Sequence, residues 1–149
     1  MVMARFRSLL TVVLACVMVF VVSCSGPVAT KPPTYTTTQI EQIQGYVSEI
    51  EAMRDRLPEL ATLIQKENWT FVKNFIRGPL GELRTKMSLV ERNLLPNDQP
   101  QARETSKDLF GDLISIDTAA QEQDYKAAIR SYAKLQKDLS AFLDLAPKA

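Results

Sequence analysis

The chain has 149 residues, of which 46% are hydrophobic and 23% are charged, and its formal net charge is +1. This length and apolar fraction predict one domain with a single core, and the balanced charge argues against a nucleic-acid-binding protein. The chain contains no histidine, which removes the commonest general base and the most frequent zinc ligand. We therefore expect a protein that is not an enzyme and that needs no cofactor and no small-molecule substrate.

The N-terminal segment has the pattern of a bacterial lipoprotein signal peptide. Arg5 and Arg7 precede an apolar run over residues 9–22, which suits a signal-peptide core and is short for a membrane-spanning helix. Cys24 follows a small residue, as in a lipobox, where the cysteine receives a diacylglyceryl group and becomes the mature N-terminus. An ordinary secretory peptide and an uncleaved anchor are the alternatives. The lipobox is favoured because Cys16, the other cysteine, lies in the segment to be removed, and acylation explains a thiol without a disulfide partner.

Residues 24–37 follow the predicted signal peptide, residues 1–23, and are rich in proline and threonine without an apolar period. This composition predicts an extended, lipid-anchored tether. A simple linker is the plainer interpretation, and the alternative is a segment that becomes ordered on docking to a partner. Removal of residues 1–23 takes away two arginines and no acidic residue, which leaves a net charge of −1.

Residues 38–149 have the periodicity of four amphipathic helices joined by short loops, which predicts an all-α, up-down-up-down four-helix bundle. The first helix is expected to run from a capping box at Thr38 to about Lys66. Pro58 is expected to kink it, or to split it near Arg56, because proline removes an internal hydrogen bond. The predicted core positions of this helix are Ile40, Ile43, Val47, Ile50, Leu57, Leu60 or Ala61, and Ile64.

The core is predicted to form around the second helix, residues 68–94, which begins with the only tryptophan of the chain. Asn68 is expected to cap this helix, and the sequence GPLG at residues 78–81 predicts a bend, because it places a proline between two glycines. The bend either has a role in binding or is a kink determined by the fold alone. The predicted core positions are Trp69, Val72, Ile76, Leu80, Leu83, Met87, Val90 and Leu94.

Two further helices complete the predicted bundle. Asp98 lies three residues before Gln101, which predicts a capping box for the third helix, and this helix is expected to end around residues 121–123. Asp124 is expected to cap the fourth helix and Pro147 to stop it. The predicted core positions are Ala102, Leu109, Leu113, Ile116 and Ala120 in the third helix, with Phe110 and Ile114 broadening its face, and Tyr125, Ala128, Tyr132, Leu135, Leu139 and Phe142 in the fourth.

Three cations follow one edge of the apolar stripe on the second helix. Lys73, Arg77 and Arg84 fall within about 40° of one another at 100° per residue. They are either a solvated flank or a docking surface for an acidic partner, since arginine suits carboxylate recognition. Phe71 lies nearly opposite the stripe, so a neighbouring helix covers it or it is exposed as an interaction anchor.

Glu104, Asp108 and Asp112 are spaced by four residues in the third helix and are roughly aligned on one face. Carboxylates in such a row can gather a divalent cation such as Ca²⁺. A solvated acidic face is the favoured interpretation, because no loop of backbone carbonyls and no histidine completes a site. We therefore expect no metal site and keep these three residues as weak candidates.

Three short motifs carry a family resemblance: NWTFV at residues 68–72, IRGPLGELR at residues 76–84 and DYK at residues 124–126. They are similar to those of the PsbQ family, in particular its cyanobacterial lipoproteins, and the resemblance covers residues 38–145. It implies a non-catalytic, extrinsic subunit on the lumenal face of photosystem II that contacts the core antenna and other extrinsic subunits. It also implies stabilisation of the oxygen-evolving complex with its calcium and chloride, and attachment to the thylakoid membrane through a lipid on Cys24.

Two features set this chain apart from other members of the family. The lipobox departs from the plant members, which are imported into plastids and carry no lipid. Some members bind zinc on the bundle surface, and no such site is carried over to a chain without histidine. The alternative functions are a general periplasmic helical-bundle lipoprotein acting as an adaptor or carrier, and a metal-sensing bundle that uses the carboxylates of the third helix.

Overall fold

A computed structural model describes residues 33–148, and every regular element in this range is an α-helix. The all-α prediction is therefore confirmed for this part of the chain. The predicted signal peptide, Cys24 and most of the predicted tether lie outside the described residues. No helix within residues 33–148 combines the length and the apolar content needed to cross a membrane. The helices are α1 Thr37–Arg54, α2 Leu57–Gln65, α3 Trp69–Arg77, α4 Leu83–Asn93, α5 Gln99–Glu122 and α6 Tyr125–Asp144.

Pro58 divides the first predicted helix at the expected place. α1 ends at Arg54 and α2 begins at Leu57, so Pro58 occupies the first turn of α2, where its missing amide removes no hydrogen bond within the helix. Buried Tyr132 of α6 donates its hydroxyl to the carbonyl oxygen of Leu57 at 3.1 Å. This hydrogen bond connects the start of α2, directly after the break, to α6.

The cap of α1 lies two residues before the predicted one. The hydroxyl oxygen of Thr36 accepts a hydrogen bond from the amide of Gln39, and the side-chain oxygen of Gln39 accepts one from the amide of Thr36, at 3.2 and 3.0 Å. This is a complete capping box, so the box predicted at Thr38 is wrong. Several threonines precede α1, and glutamine closes the box at Thr36 as well as glutamate would have closed it at Thr38.

Tyr35 joins the segment before α1 to the loop between α4 and α5. Its hydroxyl donates to Oδ2 of Asp98 at 2.9 Å and accepts a hydrogen bond from the amide of Leu95 at 3.1 Å. The carboxylate of Asp98 makes no cap on α5, so the capping box predicted there is wrong. The carboxylate instead accepts a hydrogen bond from Tyr35, which is distant in sequence. Burial raises the pKa of the Tyr35 hydroxyl, and the neighbouring Asp98 raises it further, although the hydrogen bond from Leu95 lowers it.

The second predicted helix is two helices, because the chain breaks completely at residues 78–82. A Cβ atom added to Gly81 would lie 2.5 Å from the carbonyl oxygen of Arg77, at the end of α3. Only glycine allows the backbone to approach itself so closely here. The predicted cap at Asn68 is also wrong, since its side chain makes no capping hydrogen bond. The ψ angle of Asn68 is 70°, which differs from the extended backbone that directs a capping side chain towards the first turn.

The last two helices follow the prediction closely. α5 ends at Glu122, and the side chain of Asp124 accepts a hydrogen bond from the amide of Ala127 at 2.9 Å, which caps α6. α6 ends at Asp144, three residues before Pro147. α5 and α6 are unbroken and form the most extensive helix pair.

Neighbouring helices pack in a ring around one hydrophobic core. α1 packs along α4 and α2 along α3, while α5 contacts α3, α4 and α6, and α6 also contacts α1 and α2. The first helix of the α1–α2 stretch packs on the second helix of the α3–α4 stretch, and the second packs on the first. The α1–α2 and α3–α4 stretches therefore run antiparallel. The core receives side chains from all six helices, including Ile43, Leu60, Phe75, Met87, Leu109, Ile116, Leu135 and Phe142.

Most predicted core positions are buried, and the exceptions are few. Ile40, Trp69 and Ile76 are half-buried, whereas Phe75, which is not among the predicted core positions, is 6% exposed. Ile114 does not broaden the core face of α5 as predicted, because it is 63% exposed, and Tyr125 at the start of α6 is 38% exposed. The exposed Ile114 therefore adds apolar area to the outer surface.

Candidate docking surface

The three cations predicted as one basic edge lie on both sides of the break between α3 and α4. Arg77 ends α3, Arg84 lies in the first turn of α4, and both line a surface cavity of about 310 Å³. Lys73 is half-buried one turn earlier in α3 and does not line this cavity. The structure thus brings two of the three predicted residues together.

Arg77 is paired with a carboxylate on α5. Its Nη2 lies 3.2 Å from Oδ1 of Asp117, and Oδ2 of Asp117 also accepts a hydrogen bond from the side-chain amide of Gln121 at 2.7 Å. The Arg77 side chain is 65% exposed, so the pair adds at most about 1 kcal/mol to stability. The positive charge of Arg77 is therefore largely balanced within the protein.

Arg84 stacks on an aromatic ring of α5. Its Cζ lies 3.8 Å from the centroid of the Phe110 ring, and such cation–π contacts hold a guanidinium in a defined position. Among residues 33–148, Arg84 takes part in no ion pair. Its charge is therefore available to a partner, while its side chain is already ordered by the ring.

A second, larger cavity of about 600 Å³ adjoins the first between α4 and α5. The two cavities share Arg84, Phe110 and Ile114, and together they are called the α4–α5 groove below. The larger one is also lined by Arg103 and Lys107. The sequence interpretation missed these two cations, although their spacing of four residues in a helix was a usable signal.

The carboxylate in the larger cavity has a partner inside the protein. Ser106, the one buried polar residue among those described, donates its hydroxyl to Oε1 of Glu91 in a short hydrogen bond. Arg103 donates to the side-chain oxygen of Gln99 at 2.8 Å and is otherwise exposed. The larger cavity therefore has more positive than negative charge on its walls.

Phe71 is exposed, which excludes the alternative that a neighbouring helix of the described residues covers it. Its side chain is 57% exposed on α3, so no neighbouring helix within residues 33–148 covers it. It lines neither cavity of the α4–α5 groove. A role of Phe71 as an anchor for a partner stays a prediction, and it would act at a separate place on the surface.

The three aligned carboxylates of α5 differ in their surroundings, and the absence of a metal site stays a prediction. Within residues 33–148, no group of three or more histidine, cysteine, aspartate or glutamate side chains is arranged to hold a metal ion. Glu104 and Asp108 are exposed, whereas Oδ2 of Asp112 is buried without a hydrogen-bond partner. Burial raises the pKa of the Asp112 carboxyl, and the nearby charge of Asp138 raises it further, although Lys134 lowers it. Asp108 and Asp112, but not Glu104, thus line a mixed-charge cavity between α5 and α6 together with Lys134, Lys137 and Asp138.

Comparison with known proteins identifies related sequences over nearly the whole chain. Residues 4–147 match the model of the PsbQ family, which is described as oxygen evolving enhancer protein 3. The chain is also 39% identical over 148 residues to a protein from Synechocystis sp. named CyanoQ, and the match covers 99% of each chain.

Proposed function

The chain belongs to the PsbQ family, and we propose on this basis that it stabilises the oxygen-evolving complex as a non-catalytic, extrinsic subunit of photosystem II. The finer part of the proposal is that it helps the complex to retain calcium and chloride. The observation that carries the proposal is the family match across residues 4–147, together with 39% identity to CyanoQ over 148 residues.

The helix pairing supports a bundle that acts by contact. α1 packs along α4 and α2 along α3, and α5 and α6 pack against these two stretches, which is consistent with the up-down-up-down arrangement of four rods that we propose. A rigid protein that binds only the assembled complex stabilises the assembled state by mass action, by about 2.7 kcal/mol when its free concentration is 100 times the dissociation constant. No chemical step by this chain is needed.

The exposed residues around α3 and α4 support a docking role on the lumenal side. Arg77 and Arg84 are exposed and Lys73 is half-buried, and Phe71 is exposed at a separate place on α3. We place contacts with the core antenna and with other extrinsic subunits on this side of the molecule. Arginine and aromatic residues are both enriched in protein interfaces.

Attachment to the thylakoid membrane through Cys24 completes the proposal. As an extended tether, the predicted linker from Cys24 to Tyr35 would span on the order of 30 Å at about 3.1 Å per residue. A diacyl anchor adds to protein contacts, since one acyl chain alone gives only marginal membrane binding. Mass spectrometry of the mature N-terminus tests this part: an unmodified Cys24, or cleavage elsewhere, contradicts it.

A deletion strain tests the main proposal. Oxygen evolution should fall most when calcium or chloride is limiting, and the wild-type gene should restore it. Affinity purification of the tagged full chain should recover chlorophyll-binding subunits of photosystem II. Unchanged ion sensitivity in the deletion strain argues against the stabilising role, and recovery of envelope proteins instead of photosystem subunits supports the general periplasmic adaptor.

A further inference from the structure

The α4–α5 groove combines a cationic end with an apolar end. The larger cavity is lined by Arg84, Arg103 and Lys107, whereas the smaller one has buried Leu80 and Leu113 on its wall and exposed Ile114 at the boundary. An occupant that matches both ends must carry negative charge and a hydrophobic group close together. The combined volume of the two cavities, about 600 and 310 Å³, is that of a small-ligand or short-peptide site.

Arg84 lies at the junction of the two cavities. Its guanidinium is held over Phe110 at 3.8 Å, so little side-chain freedom remains to be lost when an anion binds. Among residues 33–148, neither Arg84 nor Lys107 forms an ion pair. By contrast, Arg77, which lines only the smaller cavity, is paired with Asp117. The groove therefore presents its available positive charge at the junction and in the larger cavity.

The exposed apolar side chain of the groove lies next to this charge. Ile114 is 63% exposed although it belongs to a long, well-packed helix, and it adjoins Phe110, whose ring is 9% exposed. An aliphatic or aromatic side chain placed between them would remove apolar surface from water on both sides. A carboxylate next to that side chain in the occupant would then reach Arg84.

We propose that the α4–α5 groove binds an acidic segment of a partner protein, with a carboxylate on Arg84 and an apolar side chain against Ile114 and Phe110. The inference rests on the proposed function, since the partner would be another subunit of photosystem II. Charge complementarity favours a peptide over a membrane surface. The wall of the larger cavity includes Glu91, which repels a phosphate group, whereas separate carboxylates of a peptide can avoid it.

Binding of short synthetic peptides to the full chain in mild detergent tests the groove directly. The probe is a fluorescein-labelled peptide in which glutamates flank a central phenylalanine, and binding is followed by fluorescence anisotropy. One control peptide has glutamine in place of glutamate, and another has serine in place of phenylalanine. We expect both controls to bind about fivefold more weakly or worse. Equal binding of the serine peptide would overturn the apolar part of the proposal, and equal binding of the glutamine peptide the charged part.

Matched variants locate the binding site. Arg84→Gln should weaken peptide binding by about fivefold, the upper end for one exposed charge pair. Ile114→Ser should weaken it by a similar factor, because apolar surface is no longer removed from water. Arg130→Gln is the control, because Arg130 is an exposed cation of α6 that lines neither cavity. The replaced side chains are exposed, and circular dichroism should show unchanged helix content in all variants. Equal affinity of the Arg84→Gln and Arg130→Gln proteins would overturn the proposal.

Co-sedimentation with photosystem II cores depleted of extrinsic subunits separates the groove from the general function. If the wild-type chain binds the cores and Arg84→Gln binds equally well, the groove proposal fails and the proposed function stands. If the wild-type chain does not bind the cores, the proposed function fails. Displacement of the peptide by phosphatidylglycerol vesicles, with loss of vesicle binding in Arg84→Gln, would identify a lipid as the occupant and refute the peptide.

Discussion

Replacing Tyr35 by phenylalanine should destabilise the protein although the substitution removes one oxygen atom outside any helix. The hydroxyl donates to Asp98 at 2.9 Å and accepts from the amide of Leu95 at 3.1 Å. In Tyr35→Phe the amide of Leu95 loses its partner, and the segment before α1 loses its polar contacts with the α4–α5 loop. The ring itself still packs against the core.

The magnitude follows from the two hydrogen bonds. A typical hydrogen bond contributes about 0.5–1.5 kcal/mol, and one to a charged group about 1.5–3 kcal/mol. Because Tyr35 is half-buried, hydrogen bonds with water replace part of the lost stabilisation. Asp98 also becomes free to cap α5, which reduces the loss further. We expect a loss of about 1–2 kcal/mol, which lowers the melting temperature by roughly 4 °C or more.

Thermal unfolding followed by circular dichroism, with Tyr46→Phe as the control, measures this effect. The Tyr46 hydroxyl accepts an exposed hydrogen bond from Gln42 at 3.3 Å, and its loss should cost less than about 0.5 kcal/mol. Amide exchange at Leu95 should accelerate only in Tyr35→Phe. In a double-mutant cycle, Tyr35→Phe should cost less when Asp98 is already alanine. Equal melting temperatures for Tyr35→Phe and Tyr46→Phe would show that the hydroxyl contributes nothing.

Three further substitutions have expected outcomes that depend on single contacts. Asp112→Asn should stabilise the protein at neutral pH: burial raises the pKa of the Asp112 carboxyl in the folded state, so its ionisation lowers stability as pH rises above about 3.8. Denaturant midpoints measured at several pH values should show this advantage disappearing in acid. Gly81→Ala should cost about 1–3 kcal/mol because of its clash with a backbone oxygen, whereas Gly45→Ala, in open space within α1, should gain about 0.5–1 kcal/mol in chemical denaturation. Asp124→Ala should cost about 1 kcal/mol through loss of the α6 cap, whereas Asn68→Ala, which removes no capping bond, should stay within about 0.5 kcal/mol.

Features determined by neighbouring residues could be predicted from the sequence. Pro58 breaks the helix because its own ring and missing amide do so in any context, and Asp124 caps α6 through an amide three residues away. The period of apolar residues likewise placed most of the core, because it depends only on the geometry of one helix.

Features that depend on distant residues could not be predicted. The Tyr35 hydroxyl donates a hydrogen bond to Asp98, 63 residues away, in place of a helix cap. Arg77 forms its ion pair with Asp117, 40 residues away. The same limit applies to the candidate docking surface: helical phase placed Arg77 and Arg84 on one edge, but the stacking of Arg84 on Phe110 follows from how α4 and α5 pack. Which cations remain available to a partner was therefore visible only in the structure.

The breaks at residues 55–56 and 78–82 confine the interruptions of the described helices to one half of the molecule. α5 and α6 continue without interruption for about 36 and 30 Å at 1.5 Å per residue. The other half consists of four short rods with two joints, one of which lies beside Arg77 and Arg84. A partner bound at Arg77 and Arg84 would therefore contact two helix ends, the last residue of α3 and the first turn of α4.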